Sequence, residues 1–228
     1  MRIAIEHVTR LDYDGEATDA IAEVRLGPRN DSDQQVLGYA LTVTPQASIS
    51  QYVDGFGNNV HVVAISRSHN FAEYHARSET ATSLADPFAI PSSAPTSLGP
   101  ADRVDYLSPS PFVPTLPEFV ALGERLHPRS QADTFEAARR LTEFVYNEFR
   151  YVKDATTIDT PVATVLHDRR GVCQDFAHVL LGLCRAAEIP ARYVSGYIAS
   201  RASDERRGAE ASHAWVEAWT PTHGWRGF

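Results

Sequence analysis

The sequence predicts an α+β protein in which an antiparallel β domain precedes a domain of mixed helices and strands. Apolar residues at every second position recur through residues 3–82, and eight prolines fall within residues 86–117. Apolar residues at helical spacing follow from residue 118. Alternation is typical of half-buried strands, whereas spacings of three and four are typical of amphipathic helices.

The N-terminal β domain, residues 1–85, is predicted from four candidate strands separated by turn residues. Ile3 to Leu11 alternates cleanly, and three further stretches favour strands, at residues 22–26, 37–43 and 59–66. Between them lie Gly27-Pro28 and the run DGFGNN, residues 54–59. Glycine, proline, asparagine and aspartate favour turn geometry, so these runs indicate hairpin connections and an antiparallel arrangement.

Residues 86–117 are predicted to form a proline-rich, extended linker. Proline is disfavoured in helix interiors and in central strands, and eight of the 14 prolines lie in this stretch. A second domain, residues 118–228, is expected to follow. Its predicted elements, in chain order, are helices at 118–126 and 134–149, a loop at 154–168, a helix whose first turn holds Cys173, and strands at 191–198 and 213–219.

Size and charge exclude several classes of function. The chain has 228 residues, of which 43% are hydrophobic, and a formal net charge of -8, which opposes broad binding to nucleic acid or anionic lipid. No apolar run approaches the roughly 20 residues of a membrane helix, and the first residues lack the apolar segment of a signal peptide. We therefore expect a cytoplasmic protein that binds neither nucleic acid nor membrane. The sequence does not predict the oligomeric state.

The two cysteines, Cys173 and Cys184, are expected to be separate free thiols. They lie 11 residues apart in one predicted helix, a rise of roughly 16 Å, whereas a disulfide needs Cα atoms within about 7 Å. Cys173 falls in the first helical turn, where unpaired N–H groups and the helix dipole favour a thiolate. Cys184 lies in an apolar run that is typical of a helix core. The pattern therefore indicates Cys173 as the nucleophile.

His213 is the candidate base for this thiol. It begins an alternating stretch in which His213, Trp215, Glu217 and Trp219 share one strand face. Taken alone, a lone cysteine is commonly a buried hydrophobe and a lone histidine a satisfied polar group, but together the helix start and the later histidine favour a Cys–His pair. A zinc site formed by Cys173, His178 and His213 is an alternative, although it lacks a closely spaced ligand pair.

Several runs resemble those of bacterial transglutaminase-like proteins. In the second domain they are GVCQDFAH (171–178), EIPARYVSGYI (188–198), SHAWVEAW (212–219) and GWRGF (224–228). In the first they are IEHVTRLDYDGEA (5–17), RLGPR (25–29) and DGFGNNVH (54–61). The resemblance thus covers almost the whole chain.

This resemblance implies a papain-like catalytic domain whose nucleophile is Cys173 and whose base is His213. It further implies acyl transfer on amide or peptide bonds, most simply hydrolysis of a peptide or protein substrate, with no metal and no cofactor. The family's third catalytic residue is an aspartate directly after the GW-x-x-F motif, a position that follows Phe228. We therefore expect a chain truncated at its C-terminus. Glu217 is a poor substitute, since four strand positions place it roughly 13 Å from His213. The alternative is a binding module on the same scaffold, inactive without that aspartate.

Overall fold

The fold of the chain is α+β, as the sequence predicts. A computed structural model describes residues 1–84, 86–91, 93, 95, 97–127, 133–198 and 212–228. Two compact units comprise Met1–Ala85 and Asp86–Phe228. Among the described residues, no helix has both the length and the apolar character needed to cross a membrane.

The first unit consists of two antiparallel sheets, each of three strands. Its strands are β1 (Arg2–Ala17), β2 (Ala20–Gly27), β3 (Gln34–Thr44), β4 (Ser48–Val53), β5 (Asn59–Ile65) and β6 (His69–Thr82). One sheet has the order β1-β6-β3 and the other β2-β5-β4. Both sheets contribute to one buried cluster, which includes Val24, Val43, Val63 and Tyr74. The two sheets therefore enclose a common apolar layer, and the antiparallel β domain is confirmed.

Two strands of this unit, β4 and β6, lie outside the four predicted strands. β6 is the central strand of its sheet, and its inward positions Ala72, Tyr74 and Ala76 alternate with charged or polar outward residues. Small alanines carry a weaker apolar signal than valine or isoleucine, so the alternation is hard to detect in the sequence. β4 is an edge strand whose residues are all exposed, which leaves it without an apolar face.

The second unit consists of helices around a small antiparallel sheet. Its elements are α1 (Pro100–Leu107), α2 (Pro117–Leu126), α3 (Thr134–Glu148), β7 (Arg150–Tyr151), α4 (Val162–Asp168), β8 (Arg170–Gly171), α5 (Cys173–Ala186), β9 (Ala191–Gly196), β10 (His213–Thr220) and β11 (Gly224–Gly227). β10 is the central strand, between β9 and β11. Asp133 caps α3 by accepting from the amides of Phe135 and Glu136.

The helix α5 is the centre of this unit. Residues 179–184 are buried without interruption, which is typical of a helix that other elements surround. The Phe119 ring of α2 packs directly against Gly182, and Val216 and Ala218 of β10 belong to the same buried cluster. The packing holds the start of α5 in a fixed position relative to β10.

Two helices differ from the sequence-based expectations. The loop expected at residues 154–168 is wrong in its second half, because α4 buries Val162, Val165 and Leu166 at helical spacing. β-branched residues weaken the helical propensity of this segment, and burial outweighs that weakness. The proline-rich stretch 86–117 belongs to the second unit and contains α1, which occupies the proline-free interval after Pro100. Residues 92, 94 and 96 of that stretch lie outside the described residues.

Candidate active site

Cys173 is the first residue of α5, and its side chain is partly exposed. The preceding Val172 has an extended backbone, so the helix begins abruptly at the cysteine. At such a start the first amides have no partner within the helix. The predicted position of Cys173 in the first helical turn is confirmed, and the arrangement offers backbone N–H donors next to a thiol.

A short parallel ladder holds the chain just before Cys173. The amide of Arg150 donates to the carbonyl of Arg169, and the amide of Val152 donates to that of Gly171, each at 2.9 Å. These bonds flank the pair β7 and β8, in which Tyr151 lies opposite Gly171. Arg169 has a left-handed backbone, with φ of 55°, where α4 ends and the chain turns into β8. The ladder thus fixes the approach to the nucleophile.

Asp175 is buried beneath this approach, with 3% of its surface exposed. Its Oδ2 accepts from the Val172 amide at 2.7 Å and from the Thr156 hydroxyl at 2.6 Å. A β-carbon at Gly171 would lie 2.5 Å from the same oxygen, so only glycine fits there. Thr156 carries no recognisable signal in the sequence, because it is 19 residues away from Asp175.

Two tyrosine side chains lie near the nucleophile. Partial burial raises the pKa of Tyr193 and of Tyr151, and the charge of Cys173 acts on both phenols in the same direction. The ring of His178 stacks on Phe112 at 5.7 Å and contacts Tyr193 at 5.3 Å. Burial lowers the pKa of His178, which favours the neutral imidazole between the rings of Phe112 and Tyr193. Cys173 therefore lies close to tyrosines from two different strands.

Cys184 occupies a contrasting environment on the same helix. It is 1% exposed, and burial raises the pKa of its thiol to about 12. Both cysteines are free, as predicted. A thiol held in its neutral form and out of contact with solvent is a poor nucleophile.

His213 is the first residue of β10, and it lies opposite Gly196 of β9. The predicted alternation of this strand is confirmed, because Val216, Ala218 and Thr220 are fully buried while His213 and the other residues of its face are partly exposed. The indole of Trp215 covers Gly196, since a β-carbon there would lie 2.6 Å from its Cη2 atom.

We infer from the direction of β9 that the two predicted site residues lie at the same end of the unit. The strand β9 returns along α5, because the Ile189 amide donates to the Cys184 carbonyl and Tyr193 contacts His178. From His178 the helix extends about 7.5 Å to Cys173. From Tyr193 the strand β9 extends about 10 Å to Gly196, in the direction that leads from His178 to Cys173. Gly196 pairs with His213. Direct contact between the thiol and the imidazole stays a prediction.

Glu217 shares the strand face of His213, but its carboxylate forms an ion pair with Arg192. Both Nε and Nη2 of Arg192 donate to its Oε2, at 2.8 and 2.6 Å. The Arg192 guanidinium also lies 4.2 Å from the centre of the Trp225 ring. The last strand, β11, returns along β10, with reciprocal bonds between Val216 and Phe228. An aspartate after Phe228 lies beyond the sequence and stays a prediction.

Within the described part of the chain, no three His, Cys, Asp or Glu side chains form a group that could hold a metal ion. The zinc alternative would need Cys173, His178 and His213 together. His178 is instead enclosed by the rings of Phe112 and Tyr193. The described residues thus give that alternative no support.

Two family models match the chain. Residues 121–228 match the transglutaminase-like superfamily, and residues 3–80 match the bacterial transglutaminase-like N-terminal region. The first match contains both Cys173 and His213. The two matched ranges follow the order of the two structural units.

Relatives occur in bacteria. An uncharacterized protein of Mycobacterium leprae is 30% identical over 224 residues, which cover 96% of this chain and 80% of that relative. An uncharacterized protein of Mycobacterium tuberculosis strain H37Rv is 31% identical over 237 residues, covering 96% and 74%. A protein-glutamine gamma-glutamyltransferase of Pseudomonas aeruginosa is 32% identical over 115 residues, covering 48% of this chain and 17% of that protein.

Solved structures share the fold. The crystal structure of "a Putative Cysteine Protease from Cytophaga hutchinsonii" superposes with a TM-score of 0.76 at 22% identity, covering all of this chain and 75% of the other. The periplasmic domain of TgpA from Pseudomonas aeruginosa gives a TM-score of 0.50 at 23% identity, covering 82% and 61%. At these identities the likeness concerns the fold.

Proposed function

The chain belongs to the transglutaminase-like superfamily, and on that basis we propose that it catalyses thiol-dependent acyl transfer on amide or peptide bonds, with Cys173 as nucleophile and His213 as base. The single observation that carries the proposal is the position of Cys173. It is a partly exposed thiol at the first residue of a buried helix.

The proposed reaction has two halves. His213 takes the proton of the Cys173 thiol, and the sulfur attacks the amide carbonyl carbon. The negative oxygen of the tetrahedral intermediate accepts from backbone N–H groups at the start of α5. His213 gives its proton to the leaving amine, the C–N bond breaks, and a thioester remains. His213 then takes a proton from water, whose oxygen attacks the thioester. The C–S bond breaks, the carboxylic acid leaves, and His213 returns its proton to the Cys173 sulfur.

We propose hydrolysis as the main outcome, because two described residues near Cys173 are open to solvent. Tyr151 and Tyr193, whose phenols respond to the charge of Cys173, are 55% and 38% exposed. Transfer to an amine requires that the amine compete with water for the thioester, which is easier where a closed site excludes water. The name of the Pseudomonas glutamyltransferase relative makes amine transfer the alternative outcome.

Trapping of the thioester tests the proposal. The protein is incubated with activated esters and p-nitroanilides of short peptides, and the intact mass is measured after rapid acid quench. We expect an adduct on Cys173, loss of turnover in Cys173→Ala and in His213→Ala, and parental turnover in the matched variants Cys184→Ala and His167→Ala. Hydroxylamine added at increasing concentration measures the partition between water and amine.

Two results would contradict the proposal. An adduct on Cys184 would show that Cys173 is not the nucleophile. Absence of any adduct, together with saturable binding of the same peptides, would favour a non-catalytic binding module that uses the scaffold alone.

The proposed partner is therefore a peptide or protein substrate. The cytoplasmic location stays a prediction, and the periplasmic origin of the TgpA domain gives the competing expectation. Fractionation of the native host with an antibody to this protein distinguishes the two compartments.

A further inference from the structure

The start of α5 is capped by a residue inside the helix. Val172, which precedes the helix, has no side-chain acceptor, so it cannot cap the first amides. The Asp175 carboxylate reaches back from the third helical position and accepts from the Val172 amide at 2.7 Å. This is one half of a reciprocal capping arrangement. This bond fixes the peptide group between Gly171 and Val172. That peptide group comes immediately before Cys173 in the chain.

A hydroxyl from a distant segment completes the environment of this carboxylate. Thr156 donates to the same Oδ2 atom at 2.6 Å, and Asp175 is only 3% exposed. A buried carboxylate is costly unless donors surround it, so loss of one donor weakens its preference for this position. The Thr156 hydroxyl therefore influences whether Asp175 continues to hold the Val172 amide.

The carboxylate also has little room to move. A β-carbon at Gly171 would lie 2.5 Å from Oδ2 and 2.7 Å from the Asp175 β-carbon, so the aspartate packs tightly on the Gly171 backbone. The ladder bonds of β7 and β8 hold that backbone from the other side. Residues 150–156 and 169–175 are thus joined by both backbone and side-chain bonds.

We propose that Thr156 and Asp175 are positioning residues for Cys173, an inference that rests on the proposed function and extends it. Neither needs to touch the substrate. The Thr156 hydroxyl holds the Asp175 carboxylate, the carboxylate holds the Val172 amide, and the fixed peptide aims the Cys173 sulfur and its neighbouring N–H donor at one carbonyl group. Small displacements of such groups reduce turnover strongly while substrate binding changes little.

The test compares four single variants of the full chain. Thr156→Val replaces the hydroxyl by a methyl group of similar size, and Thr156→Ser restores the hydroxyl. Thr156→Ala removes the hydroxyl without placing a methyl group against the carboxylate, and so covers the case in which valine disturbs folding. Thr157→Val is the matched control, because the neighbouring Thr157 bonds with Thr160 and not with Asp175.

Two readouts separate positioning from stability. For the p-nitroanilide substrates, we expect Thr156→Val and Thr156→Ala to lower kcat by about tenfold or more, with KM within about twofold, while serine and the Thr157 control stay near the parent. We also expect iodoacetamide to alkylate Cys173 about threefold or more slowly in the same two variants, because looser amides stabilise the thiolate less. Circular dichroism identifies the folded samples.

The outcomes distinguish the two proposals. Parental kcat and parental alkylation in folded Thr156→Ala would overturn the positioning role, as would equal losses in Thr156→Ser. If no variant and no parent turns over any amide, the proposed function fails. Slower alkylation of Cys173 in Thr156→Val and Thr156→Ala, with the parental rate in Thr156→Ser, would still establish that Thr156 positions Cys173.

Discussion

Alkylation by iodoacetamide should distinguish the two thiols of α5 by a wide margin. The thiolate is the reacting species, so the rate follows the fraction of each thiol that is ionised. Burial raises the pKa of Cys184 to about 12. At about pH 7.5 its thiolate fraction is then about 3 × 10⁻⁵, against about 0.1 for a thiol of ordinary pKa near 8.5. Ionisation alone therefore slows Cys184 about 3,000-fold relative to an ordinary exposed thiol.

Access increases the difference further. Cys184 is 1% exposed, so a reagent reaches it only after local or global opening, whereas Cys173 is partly exposed in the folded protein. The assay is peptide mass spectrometry after timed quenching, with isotopically distinct reagent added in denaturant to label the remaining thiols. We expect Cys173 to react at least about 10³-fold faster than Cys184.

Two variants control this measurement. Cys173→Ser should leave a folded protein with almost no labelling, and Cys184→Ala should label like the parent. Labelling of Cys184 within tenfold of Cys173, in a sample that remains folded, would refute the inference that the two sites differ in ionisation and access.

Three further predictions concern stability. The raised pKa of Cys184 lets the folded state keep a proton that the unfolded chain loses above about pH 9, so the free energy of unfolding should fall by about 1.4 kcal/mol per unit between about pH 9 and pH 12. In urea denaturation, the free energy of unfolding of Cys184→Ala should lack this fall between about pH 9 and pH 12. The same pH dependence in the variant and the parent would contradict the prediction. Gly171→Ala should cost about 1–3 kcal/mol because the new methyl group overlaps Asp175, while Gly15→Ala, with open space around it, should change stability by less than about 0.5 kcal/mol. Asp133→Ala should cost about 1 kcal/mol by removing the α3 cap, and Asp133→Asn should keep most of that stability. Equal urea midpoints within either set of variants would show that the named contact is not the cause.

Local patterns were sufficient for the elements that carry the two proposed catalytic residues. The start of α5 at Cys173 follows from an apolar helical run that begins after Gly171. The face of β10 that holds His213 follows from strict alternation. In each case the signal lies within about ten neighbouring residues, where periods of 2 and 3.6 are visible.

Sequence patterns predicted helices and strands less well where the intrinsic propensity of the residues and their burial favour different structures. α4 contains Val162, Thr164 and Val165, which favour strands, yet it is helical because one side of it is buried. The central strand β6 alternates alanines with charged residues, and its burial depends on the strands at both edges. The parallel pair β7 and β8 has two residues in each strand, too few for any periodicity. These elements exist because of their neighbours.

Sequence patterns were enough to predict the α+β class, the antiparallel β domain, the place of Cys173 at a helix start and the separation of the two thiols. Each of these depends on residues close together in the chain. The tertiary structure was needed to show that Thr156 bonds to Asp175, that Arg192 pairs with Glu217, and that β9 returns along α5. These contacts join distant segments, and they form because the buried helix α5 needs partners on several sides, a requirement that no local spacing records.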